Sequence, residues 1–589
     1  MYTTGAAFLD ALKEAGVEYL FSNFGSDHPA IIERLAEAAA AGEPMPRVVT
    51  CPNEMVGLSA AQGFAQVTGR AQAVLVHVEC GTQSLAGAVH NAAKGRAPVL
   101  IFAGSSPFTQ EGELRGSRNE FIQWIQDVFD QRGLVRGYVK YENEIRTGRN
   151  VKQLVHRAMQ FAHSDPKGPV YLVGPREVME EEVPPVAIDP AEWAPIAPAA
   201  LPPDGVAAIA MALAGARRPL VVTSYLGRNP AAVGALSRLC HRLGVGVLES
   251  VPTCMNFPAD DPLYQGNQWN EQRQNPVLGA ADVVLVIDSD VPWIPLVNRP
   301  AQDARGFHID VDPLKQQMPL WHIPARHTFR ADAALALRQI DERLGAGEGA
   351  GAGAGGGCGA GGTVTIDAQA VQERAAHYAA LHEQRRLSLI ERERAPAPGD
   401  VITPEFLTAC VRAQIDDDTI VLSEGITNYQ VIGDHLGRRR AGTLLASGGG
   451  SLGWNGGAAI GVKLALPEKT VVTLSGDGSY MFEIPSAVHW MARRYETPFL
   501  QVIYDNGGWK APRFSTLAVH PTGHASRAAD LGLSFAPAPD HAAIAAASGG
   551  AFARTITRPD EVTAAVAEAL QVVRGERRCA VLDVKLAQI

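Results

Sequence analysis

Short apolar runs, each ending in small or turn-forming residues and followed by a stretch of helical periodicity, recur along the whole chain. AVLVHV and PVLIFAG lie near the start and RPLVVTS, GVGVLES, ADVVLVIDSD and GFHIDVDP in the middle. DTIVLSEG, KTVVTLSGDG, TPFLQVIYDNGG and CAVLDVKL follow toward the end. Runs that are apolar throughout have no face to give to water, so they read as strands covered on both sides. Helices alternating with such strands supply that cover in a parallel sheet. The pattern predicts an α/β chain of three parallel-sheet domains, which suits 589 residues, too many for one core.

The boundaries follow from composition. Proline lacks the amide that helix interiors and central strands need, so the proline-rich EEEVPPVAIDPAEWAPIAPAALPPDG is read as a connector after a first domain over 1–182. A central domain follows over 190–344. The run GAGEGAGAGAGGGCGAGG carries too little apolar surface to order its glycines, and is expected to be a tether over 345–363. The third domain, 364–589, opens on a charged helical stretch.

With 46% apolar and 19% charged residues the chain has the composition of a folded protein rather than a disordered one. A net charge of -10 with no long Lys/Arg cluster argues against a nucleic-acid partner. The runs GRRRAG and RRYETP are expected on solvated faces. Seven scattered cysteines without CxxC spacing read as reduced thiols, not as a zinc site or a disulfide framework. The opening MYTTGAAFLDALKEAG is amphipathic and unlike a signal peptide, and no run reaches the roughly 20 apolar residues of a membrane span. A cytoplasmic protein without a membrane partner is the expectation.

Two strand ends carry the chemistry. KTVVTLSGDGSYMF ends at Gly476-Asp477-Gly478, and TPFLQVIYDNGG ends at Asp505-Asn506-Gly507-Gly508. Carboxyl ends of parallel strands border the ligand crevice, so Asp477 and Asn506 are expected to converge there. Hard oxygens of this kind suit magnesium, and the glycines Gly476 and Gly478 beside Asp477, together with the unpaired amides at the N-terminus of a helix expected after Ser479, suit a diphosphate.

This stretch resembles the cofactor motif of thiamine diphosphate enzymes, which begins with GDG and ends in a pair of asparagines, here Asp505-Asn506. The resemblance implies thiamine diphosphate and Mg2+, with Asp477, Asn506 and the Gly508 carbonyl as metal ligands. Asp505 falls on the non-ligand position. LLASGGGSLGWNGG resembles the segment beneath the cofactor, which makes Leu452 the apolar wedge and gives the Gly450 carbonyl to the pyrimidine amine. SEGITNYQ resembles the loop at the diphosphate, with Thr427 and Asn428 as contacts. The stretch from VVTCPNEMVG to PVLIFAG is similar to the pyrimidine-binding domain, and Glu54 matches the glutamate that exchanges a proton with the pyrimidine ring. His77, at the end of AVLVH, resembles the active-site histidine of benzoylformate decarboxylase. Ser26, Asp27 and His28 in FGSDHP, and Gln83, fall on segments that face cofactor or substrate.

The domain order resembles the acetolactate synthase and 2-oxo acid decarboxylase branch. It implies decarboxylation or carboligation of a 2-oxo acid or related carbonyl compound, by a homodimer or homotetramer with the cofactor at the subunit interface. Ser224-Tyr225-Leu226-Gly227-Arg228-Asn229 stands where acetolactate synthases carry a glycine-rich FAD loop, so the resemblance does not extend to FAD. A flavin-linked 2-oxo acid oxidase and a cofactor-binding homologue without turnover are the competing readings.

Overall fold

The computed structural model describes residues 2–348, 364–397 and 399–589. Three six-stranded sheets form, each with every pair parallel. The first contains β1 (Tyr19–Ser22), β2 (Arg47–Thr50), β3 (Ala73–Val76), β4 (Val99–Ser105), β5 (Glu142–Glu144) and β6 (Pro169–Pro175), in the order β2-β1-β3-β4-β6-β5. The central sheet contains β7 (Pro219–Thr223), β8 (Gly246–Ser250), β9 (Tyr264–Gln268), β10 (Val283–Ile287), β11 (Arg305–Asp310) and β12 (His327–Arg330), in the order β12-β11-β10-β7-β8-β9. The third contains β13 (Ile420–Glu424), β14 (Leu444–Leu445), β15 (Val471–Gly476), β16 (Leu500–Asp505), β17 (Phe552–Ile556) and β18 (Ala580–Lys585), in the order β14-β13-β15-β16-β18-β17.

The first and third sheets therefore share one topology, strand for strand. In each, the chain reverses its winding between the first and third strands, and such a switch point opens a crevice at the carboxyl edge. The central sheet is a dinucleotide-fold order with its own switch between β7 and β10. There the amides of Ser224 and Tyr225 bond the Asp288 carbonyl, and the Arg96 guanidinium lies 4.0 Å from the Tyr225 ring centre while pairing with both oxygens of Asp290.

Two helices join the outer domains. Glu54–Thr68 follows β2 and Asn455–Ala465 follows β14, equivalent places in the shared topology. Both are buried along most of their length, as helices apolar on every side must be. Their close crossing needs glycine: a Cβ on Gly461 would stand 1.8 Å from the Ala60 carbonyl oxygen, and one on Gly63 2.3 Å from that of Ala458. One hydrophobic core runs from Phe21 and Val56 through Ala458 to Val488 and Ile503, across both domains.

Three expectations are corrected. The helix Ala368–Arg392, grouped by sequence with the third domain, packs on the central one: Tyr378 donates to the Pro219 carbonyl and Arg374 to those of Leu213, Ala214 and Ala216. The helix Ala333–Glu348 runs through the start of the expected 345–363 tether, and 349–363 lies outside the described residues. In GRRRAG, Arg438 turns inward and donates to the carbonyls of Asp416, Asp417 and Thr419, while Arg439 and Arg440 stay exposed. The cysteines, expected to be reduced and mostly buried, are free thiols among the described residues, with Cys51, Cys240, Cys254, Cys410 and Cys579 buried and Cys80 exposed. Among the described residues no helix is long and apolar enough to cross a membrane.

Candidate active site

β15 and β16 are neighbours with Gly476 opposite Tyr504, so Asp477 and Asn506 leave the sheet side by side. Asp477 is buried, and its oxygens accept the amides of Gly478 and Gly508, each at 2.9 Å. Burial and the neighbouring Asp505 carboxylate push Asp477 up to about 7. Oδ1 of Asn506 is buried without a partner. The Gly508 carbonyl accepts the Lys510 amide at 3.0 Å and keeps a second lone pair. Carboxylate, amide oxygen and carbonyl oxygen are the hard donors a divalent cation takes, and an orphaned buried acceptor is a place for one, so these residues fit magnesium. Among the described residues no group of three His, Cys, Asp or Glu is arranged to hold a metal, so neutral oxygens are an essential part of this set.

The turn beneath this crevice is held by Glu424 at the end of β13. Its carboxylate accepts the amides of Gly453, Trp454 and Asn455 at 2.7, 3.0 and 2.9 Å, and its carbonyl accepts the Ser479 hydroxyl at 3.2 Å. Burial pushes Glu424 up to about 8 against those amides. It thereby ties the segment with Gly450 and Leu452 to the segment that follows Asp477. Gly450 is exposed, and its amide donates to His90 at 3.0 Å. Thr427 is half-buried and Asn428 buried, in the turn after β13.

The first domain builds the equivalent edge. Glu54 begins its helix, nearly buried, and Asn23 donates to its Oε1 at 2.7 Å. A Cβ on Gly81 would come within 3.2 Å of the same oxygen. At the end of β3, Nδ1 of His77 faces the Asp27 carboxylate and Nε2 lies 2.9 Å from the side-chain oxygen of Gln126. Hydrogen bonding to Asp27 raises the His77 pKa against the opposing effect of burial. Asp27 is itself buried, which favours its neutral form, but the facing His28 and His77 hold it well below the usual carboxylate range. The second oxygen of Asp27 takes the amide of Val78 at 3.0 Å. Val78 has φ 36°, a left-handed conformation that a β-branched residue adopts only when its surroundings impose it. A Cβ on Gly25 would stand 1.8 Å from Nδ1 of His77, so this loop admits the imidazole only because residue 25 is glycine.

His28 does not face the crevice. His28 is buried between Phe24 and Phe102, with Nδ1 3.1 Å from both Asp27 and the Gly25 amide, so it braces the loop. Ser26 is half-buried beside it. Gln83 is exposed but donates to Glu79, which also accepts from the Cys80 thiol at 2.9 Å. Asn23, Gln126 and Glu424 escaped the sequence reading. Asn23 and Glu424 stand at strand ends, a usable signal, whereas Gln126 lies in a long segment with none. No hydrogen bond or ion pair of the described residues joins Glu54 or His77 to Asp477, Asn506 or Ser479.

Comparison with known proteins finds matches to three successive stretches of the chain. Residues 2–134 match the thiamine pyrophosphate enzyme N-terminal TPP binding domain, 206–340 the central domain and 425–584 the C-terminal TPP binding domain. Benzoylformate decarboxylase of Pseudomonas aeruginosa is 24% identical over 534 residues, covering 87% of this chain and 88% of that protein. Acetolactate synthase of Bacillus subtilis is 23% identical over 519 residues, covering 86% and 82%. Among solved structures, the thiamine diphosphate-dependent 4-hydroxybenzoylformate decarboxylase of Rhodococcus jostii RHA1 shares the fold with a TM-score of 0.75 at 21% identity, over 100% of this chain and 99% of that one. With all three domains matched in order along most of its length, and with Asp477 and Asn506 at adjacent strand ends, the chain belongs to the thiamine pyrophosphate enzyme family.

Proposed function

We propose that the protein is a thiamine diphosphate- and magnesium-dependent lyase or carboligase that removes carbon dioxide from a 2-oxo acid. The remaining fragment is then protonated or passed to a second carbonyl compound. The observation that carries this reading is the cradle of Asp477, Gly508 and the unpartnered Oδ1 of Asn506.

Asp477, Asn506 and the Gly508 carbonyl hold the cation, and the segment from Gly476 to Ser479 receives the diphosphate, with Thr427 and Asn428 bordering it. Leu452 supports the cofactor from below, and the Gly450 carbonyl takes the pyrimidine amine. When bound, the cofactor supplies a thiazolium ring that accepts the electron pair released as the carbon–carbon bond breaks. Glu54, fixed by Asn23, exchanges a proton with the pyrimidine nitrogen. His77 carries a proton to the substrate's carbonyl oxygen while Asp27 fixes the tautomer and the ring plane. Ser26 and Gln83 border the substrate.

Among the described residues of one chain no hydrogen bond or ion pair joins Glu54 or His77 to Asp477, Asn506 or Ser479, and a second copy supplies the complementary half-site in a homodimer or homotetramer. Support comes from the exposed apolar residues Phe108, Phe121, Ile125 and Phe129, a surface too greasy to be left in water.

The experiment supplies aliphatic and aromatic 2-oxo acids, with thiamine diphosphate and magnesium, and follows carbon dioxide release with and without an aldehyde acceptor. Release from at least one acid, and a 2-hydroxy ketone when an aldehyde is present, is the expected result. Folded protein that binds no thiamine diphosphate by calorimetry would refute the proposal.

A further inference from the structure

We propose that Lys585 sets the charge of the cation site by holding the Asp505 carboxylate out of the cation's coordination shell. The inference rests on the assignment of Asp477, Asn506 and Gly508 as cation ligands and concerns a residue outside that set.

Asp505 immediately precedes the ligand Asn506 and is buried beside Asp477. Two carboxylates crowded at one strand end repel each other strongly where water is scarce. The fold answers from the neighbouring strand, because β18 pairs with β16 so that Lys585 stands opposite Asp505. Its ammonium pairs with Oδ2 of Asp505, and with Oδ2 of Asp583 at 2.9 Å. The other oxygen of Asp505 accepts the Gly507 amide at 2.9 Å. Both Asp505 oxygens are thus engaged inside the chain, whereas Oδ1 of Asn506 has no partner.

The end of the chain keeps the pair in place. The amide of Leu586 bonds the Asp505 carbonyl at 2.8 Å, that of Ile589 bonds the Asn506 carbonyl at 3.0 Å, and the Gln588 side chain donates to the Asp505 carbonyl at 3.2 Å. His541 stands 3.8 Å from Oδ2 of Asp505, too far for a hydrogen bond. Lys585 thereby cancels one of the two negative charges that Asp505 and Asp583 bring to this strand end. Without Lys585, Asp505 is a bare anion next to a ligand, able to attract or join the cation.

The test measures Mn2+ binding by the paramagnetic resonance of the free ion, at saturating thiamine diphosphate, for the unaltered protein, K585M, D505N and D505N/K585M. A change of one charge this close shifts cation affinity by about tenfold, so K585M binds about tenfold more tightly and D505N about tenfold more weakly. The double variant, neutral at both positions, returns to within about threefold of the unaltered protein. Unchanged affinity in K585M, or a double variant as tight as K585M, overturns the inference. If K585M does not fold, D505N and the double variant decide: equal affinities in D505N and the unaltered protein overturn it. Unaltered, folded protein that binds no manganese overturns the cation-site assignment itself, a separate failure.

Discussion

Oδ1 of Asp27 lies 2.5 Å from Nδ1 of His77, across the crevice edge between β1 and β3. The pair joins the first strand-to-helix loop to the third strand, so the position of the imidazole depends on a carboxylate far away in sequence.

Replacing that carboxylate separates charge from shape. In D27N the asparagine still accepts from Nδ1 but brings no negative charge, so the His77 pKa falls toward its ordinary value of about 6.5. The limb of the pH–rate profile that belongs to His77 shifts to lower pH, and turnover falls by about tenfold or more. Stability follows the same linkage. The depressed Asp27 contributes above the ordinary carboxylate pKa of about 4 and loses that contribution as pH falls through its folded value. The raised His77 contributes fully below about 6.5 and loses it as pH rises through its folded value. The stability gap between unaltered and D27N protein is therefore widest between about pH 4 and 6.5, as denaturant titrations at several pH values will measure. A pH-independent gap would remove the pair from this role.

Glu54 is held by Asn23 and nearly buried, so E54Q keeps the shape and loses the exchangeable proton. Turnover is expected to fall by about 100-fold or more with the melting temperature unchanged. Hydrogen–deuterium exchange at the thiazolium carbon of bound cofactor measures the step directly, and an unaltered exchange rate would clear Glu54 of it.

Asn506 offers an acceptor with no other use in the fold. N506A should keep its stability without ligands, because no internal side-chain bond is lost. The stabilisation by magnesium and thiamine diphosphate together, about 2.7 kcal/mol at a hundredfold excess over the dissociation constant, should shrink. Thermal melts with and without both ligands make the comparison, and an undiminished shift contradicts the assignment.

Gly25 gives way to the His77 ring. G25A puts a methyl where Nδ1 lies, so the ring must leave Asp27. Activity should drop at least as far as in D27N, and the urea midpoint should fall with it because the stabilising pair is lost too. A G25A protein as active as the original would mean that the Asp27–His77 contact does not matter to turnover.

Gly461 sits where the two long buried helices cross, with the Ala60 carbonyl against it. In G461A the backbones must separate, which destabilises by about 1–3 kcal/mol. Urea titration should also show the joint core of the outer domains losing cooperativity. Full stability in G461A would show the crossing to be looser than described.

The sequence by itself determined the class of fold, the three domains and the two strand ends with Asp477 and Asn506. Each rests on a local pattern: an apolar run that must be covered on both faces, or a turn residue placed after it. Central strands such as β3, β10, β15 and β16 were therefore legible, whereas the edge strands Glu142–Glu144, Tyr264–Gln268 and His327–Arg330 are polar or short and carry no such pattern. Only the tertiary structure decided which side chains act on one another. Asp27 and His77, Asn23 and Glu54, and Asp505 and Lys585 come together because parallel strands distant along the chain end at one edge, and a polar pair of that kind leaves no periodicity in the sequence. Placement of the helix Ala368–Arg392 on the central domain was decided in the same way, by buried carbonyls that Arg374 and Tyr378 satisfy at a distance.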